Sequence, residues 1–599
     1  MADKQYGWRR FQRMKFSTKG LSKRARTVEA ATLRHAHKFI FKRLRKIRNV
    51  RRHIASWLLL VGVLIGLTGL QLVWNQKSYT KQAPVGGGTY AEAVLGPIDT
   101  LNPLYATTDA ELSASRLLFS SLYSYDTEGS LNADLASSMT RSERGDEYTI
   151  RIKENARWSD DTALTAADVV FTIDLLKNPM SRAAITGWRD IAVEQVDEYT
   201  VRFKLPSTYA PFRHALTFPI LPKHALENIN PEQLRESKFS KAPIGSGPFV
   251  FRLEQPVDIN EDRKIIHMAM NESYYRGKPK LEKFQLHVYG SQEAIAKALR
   301  TNEVNAAADV SLDTLSEKDR QRYTILELPL HNGVYALMNT QSEILKSTEV
   351  RRALQLLTDT EEIRAAMPNE VNSLSLPFLP AQVAGADLPS APAVNRTEAE
   401  KLLDAAGYVK QANGPREKDG FPLTIKIATL KNKEYETALS AMAKQWRDAG
   451  IQVEAEVLDT SDVSRDVLQT VLQPRNFDVL IYELTMGADP DSYAYWHSSQ
   501  ITRRGLNFSN YANGIADDAL SSARLRLEPD IRAAKYVAFA EQWLKDVPAI
   551  GLYQGNSYYV QNDSTRSVDE SKARLITPTD RYGNVLYWTV RQGSVYKTP

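Results

Sequence analysis

The 599-residue sequence contains no cysteine. That absence excludes disulfides, thiolate metal sites and cysteine nucleophiles together, and with them an anchor built on a lipid-modified cysteine. Histidine is sparse: nine residues, at positions 35, 37, 53, 214, 224, 267, 287, 331 and 497. Beyond position 53 no two of them stand in the H-x-x-x-H spacing that seats zinc on one helix face. The sequence also lacks a G-x-S-x-G turn and a phosphate-binding Gly-rich loop ending in Lys and Ser or Thr. Catalysis, a resident metal and a cofactor are therefore not expected. Internal repeats and low-complexity tracts are missing too.

One run has no charge at all. Residues 54–74, opening at Ile54, read IASWLLLVGVLIGLTGLQLVW. At ~1.5 Å per residue such a helix reaches about 30 Å, the thickness of a bilayer core. Trp57 and Trp74 stand near its two ends, at the level where indole rings favour the lipid headgroups. Residues 1–53 carry 18 Lys and Arg against two acids, Asp3 and Glu29. The remainder holds 59 basic and 69 acidic residues, so the net charge of +6 hides an acidic main body. Basic residues flanking a span stay on the cytoplasmic side. The expectation is a single-pass cell-membrane protein with its N-terminus in the cytoplasm and its main body outside. The run is long for a signal peptide and no A-x-A site follows it, so an uncleaved anchor is expected. Gly62 and Gly66 form a G-x-x-x-G pair that could seat a helix dimer. In the basic tail, Leu33, His37, Ile40, Leu44 and Ile47 recur at helical spacing, which suits a helix lying on anionic lipid. Nucleic-acid binding is not expected of a tail whose charge the membrane already accounts for. Residues 75–86 read as a polar linker ending in glycine.

The main body alternates helix and strand signals, a mixed α/β chain. Tyr148, Ile150 and Ile152 alternate with polar residues as a half-buried strand. Thr165 and Asp168 form a capping-box pattern ahead of Val169, Val170, Ile173 and Leu176, and Asn178-Pro179 stops the helix. Thr200 to Leu205 alternates again. The stretch 242–248, APIGSGP, suits a tight crossing between structural units. Residues 477–485, FDVLIYELT, read as a buried strand, and 486–496, MGADPDSYAYW, follow its carboxyl end, where open α/β sheets place their ligands. In that loop Asp489 and Asp491 offer negative charge, and Tyr493, Tyr495 and Trp496 offer apolar area with polar edges. The competing reading is that Asp-Pro starts a turn and caps a helix. Asn332 and Tyr335, in HNGVYALMNT, are candidates for the hinge side of a cleft, against the simpler reading of a core strand.

Several strings together resemble the extracellular solute-binding protein family 5: GGTYAEAVLGPIDTLNPLYATTD, IRIKENARWSDDTALTAADVVFTI, the 242–249 crossing, NESYYRGKPK, VRRAL at 350–354, Asp489-Pro490-Asp491 and VPAIGLY at 547–553. The turn after Trp158 departs from the family's usual Ser-Asp-Gly, reading Ser159-Asp160-Asp161. The resemblance implies a two-lobed periplasmic-binding-protein fold with an extra domain. The first lobe would use 87–124, 242–333 and 560–599, the extra domain 125–241 and the second lobe 334–559. It implies the substrate-binding component of an ABC importer for peptides or similar small solutes, with a permease and an ATPase as partners. A sensor or adhesin using the same fold is the alternative. Peptide-binding members reading D-x-x-[D/E]-P use the first acid for the peptide's ammonium terminus. Here that position is Met486. Either Asp489 or Asp491 substitutes through a shifted loop, or the ligand has no ammonium group there. The expected ligand contacts are Asp489, Asp491, Tyr493, Trp496, Tyr335 and Asn332.

Overall fold

The computed structural model describes residue 38 and residues 47–183, 185–258, 263–412, 414–459 and 466–596. Apart from residue 38 and positions 47–53, the basic tail lies outside the described residues. Two compact units emerge: Met1–Ala83 with Gly593–Pro599, and Pro84–Gln592.

The first unit contains the helix Ile47–Tyr79. Its segment Arg51–Asn75 is long and apolar enough to cross a membrane. Trp57, Leu59, Leu70 and Trp74 are 69–72% exposed. Large apolar side chains gain from leaving water, so the helix is built for an apolar surrounding. A membrane anchor and a signal sequence both have this character. Its hydroxyls look after themselves: Ser56 donates to the Arg52 carbonyl and Thr68 to the Leu64 carbonyl, each at 2.7 Å. The linker expected over 75–86 takes a different form. The helix runs on to Tyr79, and Thr80–Val85 is a strand paired in a two-stranded sheet with Arg591–Tyr596. A pairing partner more than five hundred residues away was beyond the reach of local sequence reading.

The second unit is built on two sheets. The seven-stranded one has its centre at Thr89–Leu95, which pairs in parallel with Lys283–Tyr289 from Thr89↔Lys283 to Leu95↔Tyr289. Its core holds Tyr90 stacked on Phe284 at 5.2 Å, with Trp588 alongside. Within that core Arg581 donates from Nε and Nη2 to Glu92 at 2.9 and 2.6 Å, and both residues are sealed from solvent. The five-stranded sheet is ordered Gln452–Leu458, Thr424–Leu430, Val479–Thr485, Asn332–Met338, Ala549–Tyr553.

A four-stranded antiparallel sheet sits within the 136–204 stretch. There Glu147–Ile152 buries Tyr148, Ile150 and Ile152, as alternation predicts. The helix Ala166–Lys177 starts where expected. The Asp168 carboxylate accepts the Thr165 N–H at 2.8 Å, then also accepts the Lys223 N–H at 2.8 Å. Trp158 is buried packing. The 242–248 segment crosses against the end of the helix Asp109–Leu118. A Cβ on Gly245 would stand 2.1 Å from the Leu118 carbonyl oxygen, and one on Gly247 would stand 2.6 Å from that of Leu117. Only glycine permits that approach.

The chain passes between the two large sheets at two adjacent places. Leu330-His331 connects Thr324–Pro329 to Asn332–Met338, and Gln554-Gly555 connects Ala549–Tyr553 to Asn556–Gln561. The crossings are stitched together. Leu330 N–H donates to the Gly555 carbonyl at 3.2 Å, Gln554 Nε2 to the Leu330 carbonyl at 2.6 Å, and Gly555 N–H to Asn332 Oδ1 at 3.0 Å.

Candidate functional site at the junction of the two sheets

The strand Val479–Thr485 forms where expected, and residues 486–496 leave its carboxyl end. Gly487 takes φ +63 there, a conformation suited to glycine. The loop is held from both sides. Met486 N–H donates to the His331 carbonyl at 2.8 Å, and His331 Nδ1 meets the Gly487 carbonyl at 2.9 Å. Gln382 Nε2 reaches the carbonyls of Met486, Gly487 and Asp489 at 3.2, 3.0 and 3.3 Å.

Both acids of the loop already have cationic partners. Arg532 Nη2 donates to the two oxygens of Asp489 at 2.7 and 2.9 Å, and Arg524 Nε to those of Asp491 at 3.0 and 2.9 Å. Burial disfavours the Arg532 charge, yet its hydrogen bonds to Asp489 and that residue's charge hold the guanidinium above its ordinary pKa. Tyr209 OH, from just beyond the strand Thr200–Lys204 of the four-stranded sheet, donates to Asp491 at 3.1 Å. The Arg524 guanidinium lies between aromatic faces, 4.1 Å from the Tyr493 ring and 5.1 Å from that of Tyr209. A cavity of about 480 Å³ opens beside it, walled by Trp188, Leu205, Tyr209, Phe212, Tyr493 and Arg524 among others.

The other expected contacts divide. Tyr335 and Trp496 are interior residues. Tyr335 is fully buried with its hydroxyl donating to the Leu376 carbonyl at 2.6 Å, and Trp496 packs edge-on against Tyr335 and Trp543. Their expected place on a cleft wall gives way to the core: both faces of the Tyr335 strand are covered by separate apolar cores, and Trp496, at the end of the short helix Tyr493–Trp496, packs into the same core as Tyr335. Asn332 is buried as well, with its carbonyl oxygen committed to the crossing.

A second group was not legible in the sequence. Glu483 lies on the same strand as the loop, Glu434 at the start of the helix Lys433–Asp448, and Asp309 just beyond Ala306–Ala307 of the seven-stranded sheet. All three carboxyls are raised above their ordinary range, chiefly by burial. For Glu483 the charges of Asp309 and Glu434 add to it, for Glu434 those of Asp309 and Asp313, and for Asp309 that of Asp109. Asp309 keeps its solvent access although protein surrounds it densely, as a residue on a cleft floor does. Tyr435 OH faces Glu483 at 3.5 Å. Lys433 is occupied elsewhere, bridging to Asp313 at 2.5 Å.

Two sheets with separate cores, joined by paired short crossings and meeting at a polar, aromatic junction, define a binding protein. The chain belongs to the bacterial extracellular solute-binding proteins of family 5, whose middle region matches residues 130–505. These proteins bind solutes for transport and do not convert them. The chain is 28% identical over 491 residues to the oligopeptide-binding protein AppA of Bacillus subtilis, covering 79% of this chain and 88% of that one. It is 23% identical over 485 residues to the probable D,D-dipeptide-binding periplasmic protein DdpA of Escherichia coli, covering 78% and 88%. Among solved structures, Bacillus subtilis AppA in complex with a nonapeptide superposes with TM-score 0.68 at 25% identity, over 85% of this chain and all of that one. NikZ of Campylobacter jejuni in complex with Ni(L-His) superposes with TM-score 0.70 at 26% identity, over 84% and 99%.

Proposed function

We propose that this chain is the membrane-tethered, extracytoplasmic substrate-binding component of an ABC importer, capturing peptides in a cleft between two lobes and delivering them to a permease. The paired crossings carry the reading. Two sheets connected only through Leu330-His331 and Gln554-Gly555 on this side can rotate about that line with little repacking. The first lobe is then the seven-stranded sheet with its returning strand Asn556–Gln561, and the second the five-stranded sheet. The extra domain is the four-stranded sheet with its helix. Ligand favours the closed form to the extent that it touches both lobes. The polypeptide bound by AppA supports peptide cargo. The apolar cavity beside Tyr209 and Tyr493 has room for a side chain. Asp489 and Asp491 act here as supports that hold Arg532 and Arg524, leaving Tyr493 and the Met486 carbonyl region to meet solute.

The tether is the helix Ile47–Tyr79, supported by its exposed apolar surface and the basic residues before it. Because the chain has no native thiol, single cysteines report topology directly. Ser137→Cys on the main body should react with an impermeant maleimide in intact spheroplasts, and Ser17→Cys only after permeabilisation. Equal labelling of both, or a mature N-terminus beyond residue 74, would refute the tether. For cargo, the full chain in detergent should retain peptides from a mixed pool containing peptides, nickel chelates and oligosaccharides, read by mass spectrometry. Retention of a chelate or sugar alone would refute the peptide reading.

A further inference from the structure

Glu434, Glu483 and Asp309 gather at the junction, where Lys433 bridges to Asp313 at 2.5 Å and Tyr435 OH faces Glu483 at 3.5 Å; the Arg581 charge that acts on Asp309 is already paired with Glu92. Among the described residues none of the three makes an ion pair. Their hydrogen-bonding neighbours are neutral: Asn369 beside Glu434, Asn332 and Tyr435 beside Glu483, Ser557 beside Asp309. Three carboxylates in one another's field raise each other's free energy when ionised. A fold has no reason to collect them for its own stability.

A second observation comes from Tyr553. Its ring is fully buried, yet its hydroxyl has no hydrogen-bond partner. Tyr553 and Glu483 both pair with Val334, so their side chains share one face of the five-stranded sheet, and the hydroxyl lies in the field of Glu434, Tyr435 and Glu483. A buried donor left unmade costs about 1–3 kcal/mol. Asp309 adds a left-handed backbone at φ +51, unusual outside glycine.

We propose that this chamber is the subsite for an ammonium or guanidinium group of the solute, so that the protein selects cationic peptides. Among the described residues no three Asp, Glu or His side chains stand close enough to share one metal ion. An organic cation suits such a group, because its several N–H donors can reach different acceptors. The Tyr435 hydroxyl, 3.5 Å from Glu483, adds a further acceptor at its border. Asp309 follows the strand Ala306–Ala307 of the seven-stranded sheet, whereas Glu483 lies on a strand of the five-stranded sheet and Glu434 in the helix Lys433–Asp448 packed against that sheet. One cation touching all three would therefore draw the two sheets together. The negative charge missing at Met486 reappears three residues earlier, at Glu483.

The inference rests on the peptide-binding reading, and its test separates the two. The full chain in detergent is titrated with three alanine-rich octapeptides: N-acetylated and neutral, N-acetylated with one lysine, and neutral with a free ammonium terminus. Agmatine serves as a non-peptide cation in a thermal-shift assay. Each is repeated with Glu434→Gln/Glu483→Gln and with Asp309→Asn, which tolerates the left-handed backbone. The expected result is roughly thirtyfold tighter binding of at least one cationic peptide than of the neutral one, a preference lost in both variants. Which cationic peptide wins distinguishes a side-chain ammonium from a chain terminus. Equal binding of all three, or a preference that survives in the variants, overturns the chamber and leaves peptide binding standing. No peptide binding, with agmatine stabilising the wild type and neither variant, upholds the chamber and overturns the peptide reading. No response to any probe overturns both.

Discussion

Replacing Asp489 by Asn tests whether the loop acids hold ligand or hold the protein. The substitution keeps size and shape and removes one charge. Arg532 Nη2 would lose a partner that now takes two contacts at 2.7 and 2.9 Å. The two side chains are 17% and 11% exposed. Breaking a fully buried pair costs about 3–5 kcal/mol, and an exposed pair contributes only about 0–1 kcal/mol. At these exposures the cost should be about 2–3 kcal/mol. The Asp489 side chain also accepts the Asp491 N–H at 3.1 Å, a bond the amide oxygen of Asn can keep, so the loop should retain its path. The assay is chemical unfolding of the full chain in detergent, followed by tryptophan fluorescence. A cycle with Arg532→Met and the double variant isolates the coupling. Stability should fall in Asp489→Asn and recover in part in the double variant. The ratio of affinities for free and N-acetylated peptides should not change. Unchanged stability with selective loss of affinity for the free peptide would refute the structural role and make Asp489 the ammonium acceptor.

Other outcomes follow from the same contacts. Gly245→Ala should destabilise the main body by about 3 kcal/mol or prevent folding, because its Cβ would meet backbone at 2.1 Å; a melt like that of the wild type would show the crossing is looser than described. Arg581→Met should cost about 3–5 kcal/mol by stranding Glu92 in the core, whereas Glu92→Leu/Arg581→Met should regain most of it; equal losses in both would argue against the pairing. His287 is depressed from 6.5 to about 4 by burial and then by the Arg263 and His267 charges. The unfolded chain therefore takes up a proton first, and stability should be full above about pH 6.5 and decline towards pH 4. The shift corresponds to about 3 kcal/mol, and Glu303 at 3.7 Å offsets part of it, so about 2 kcal/mol is expected. His287→Gln should flatten that slope; an unchanged slope would place the titration elsewhere.

Local patterns carried far. The alternation of Tyr148, Ile150 and Ile152 and the Thr165–Asp168 cap each depend on neighbours within a few residues, and each forms as the spacing predicts. So does the strand ahead of Met486. The strand Asn332–Met338 was legible as apolar, but its burial on both faces depends on two cores assembled from distant residues, one taking Tyr335 and Leu337 and the other Val334, Ala336 and Met338. That is why Tyr335 belongs to the core.

By itself, then, the sequence determined the charge-free apolar run, the basic stretch before it, the family order of motifs and the absence of thiol chemistry, because each is a property of contiguous residues or of composition. Tertiary structure alone decided which acids are free. Asp489 and Asp491 look available in MGADPDSY, but Arg524 and Arg532 lie 33 and 43 residues downstream and neutralise them. Asp309, Glu434 and Glu483 look unrelated along the chain, yet the fold brings them into one field, and none of them makes an ion pair among the described residues. Coulomb interaction depends on distance in space and on the polarisability between the charges, and neither is written in sequence separation.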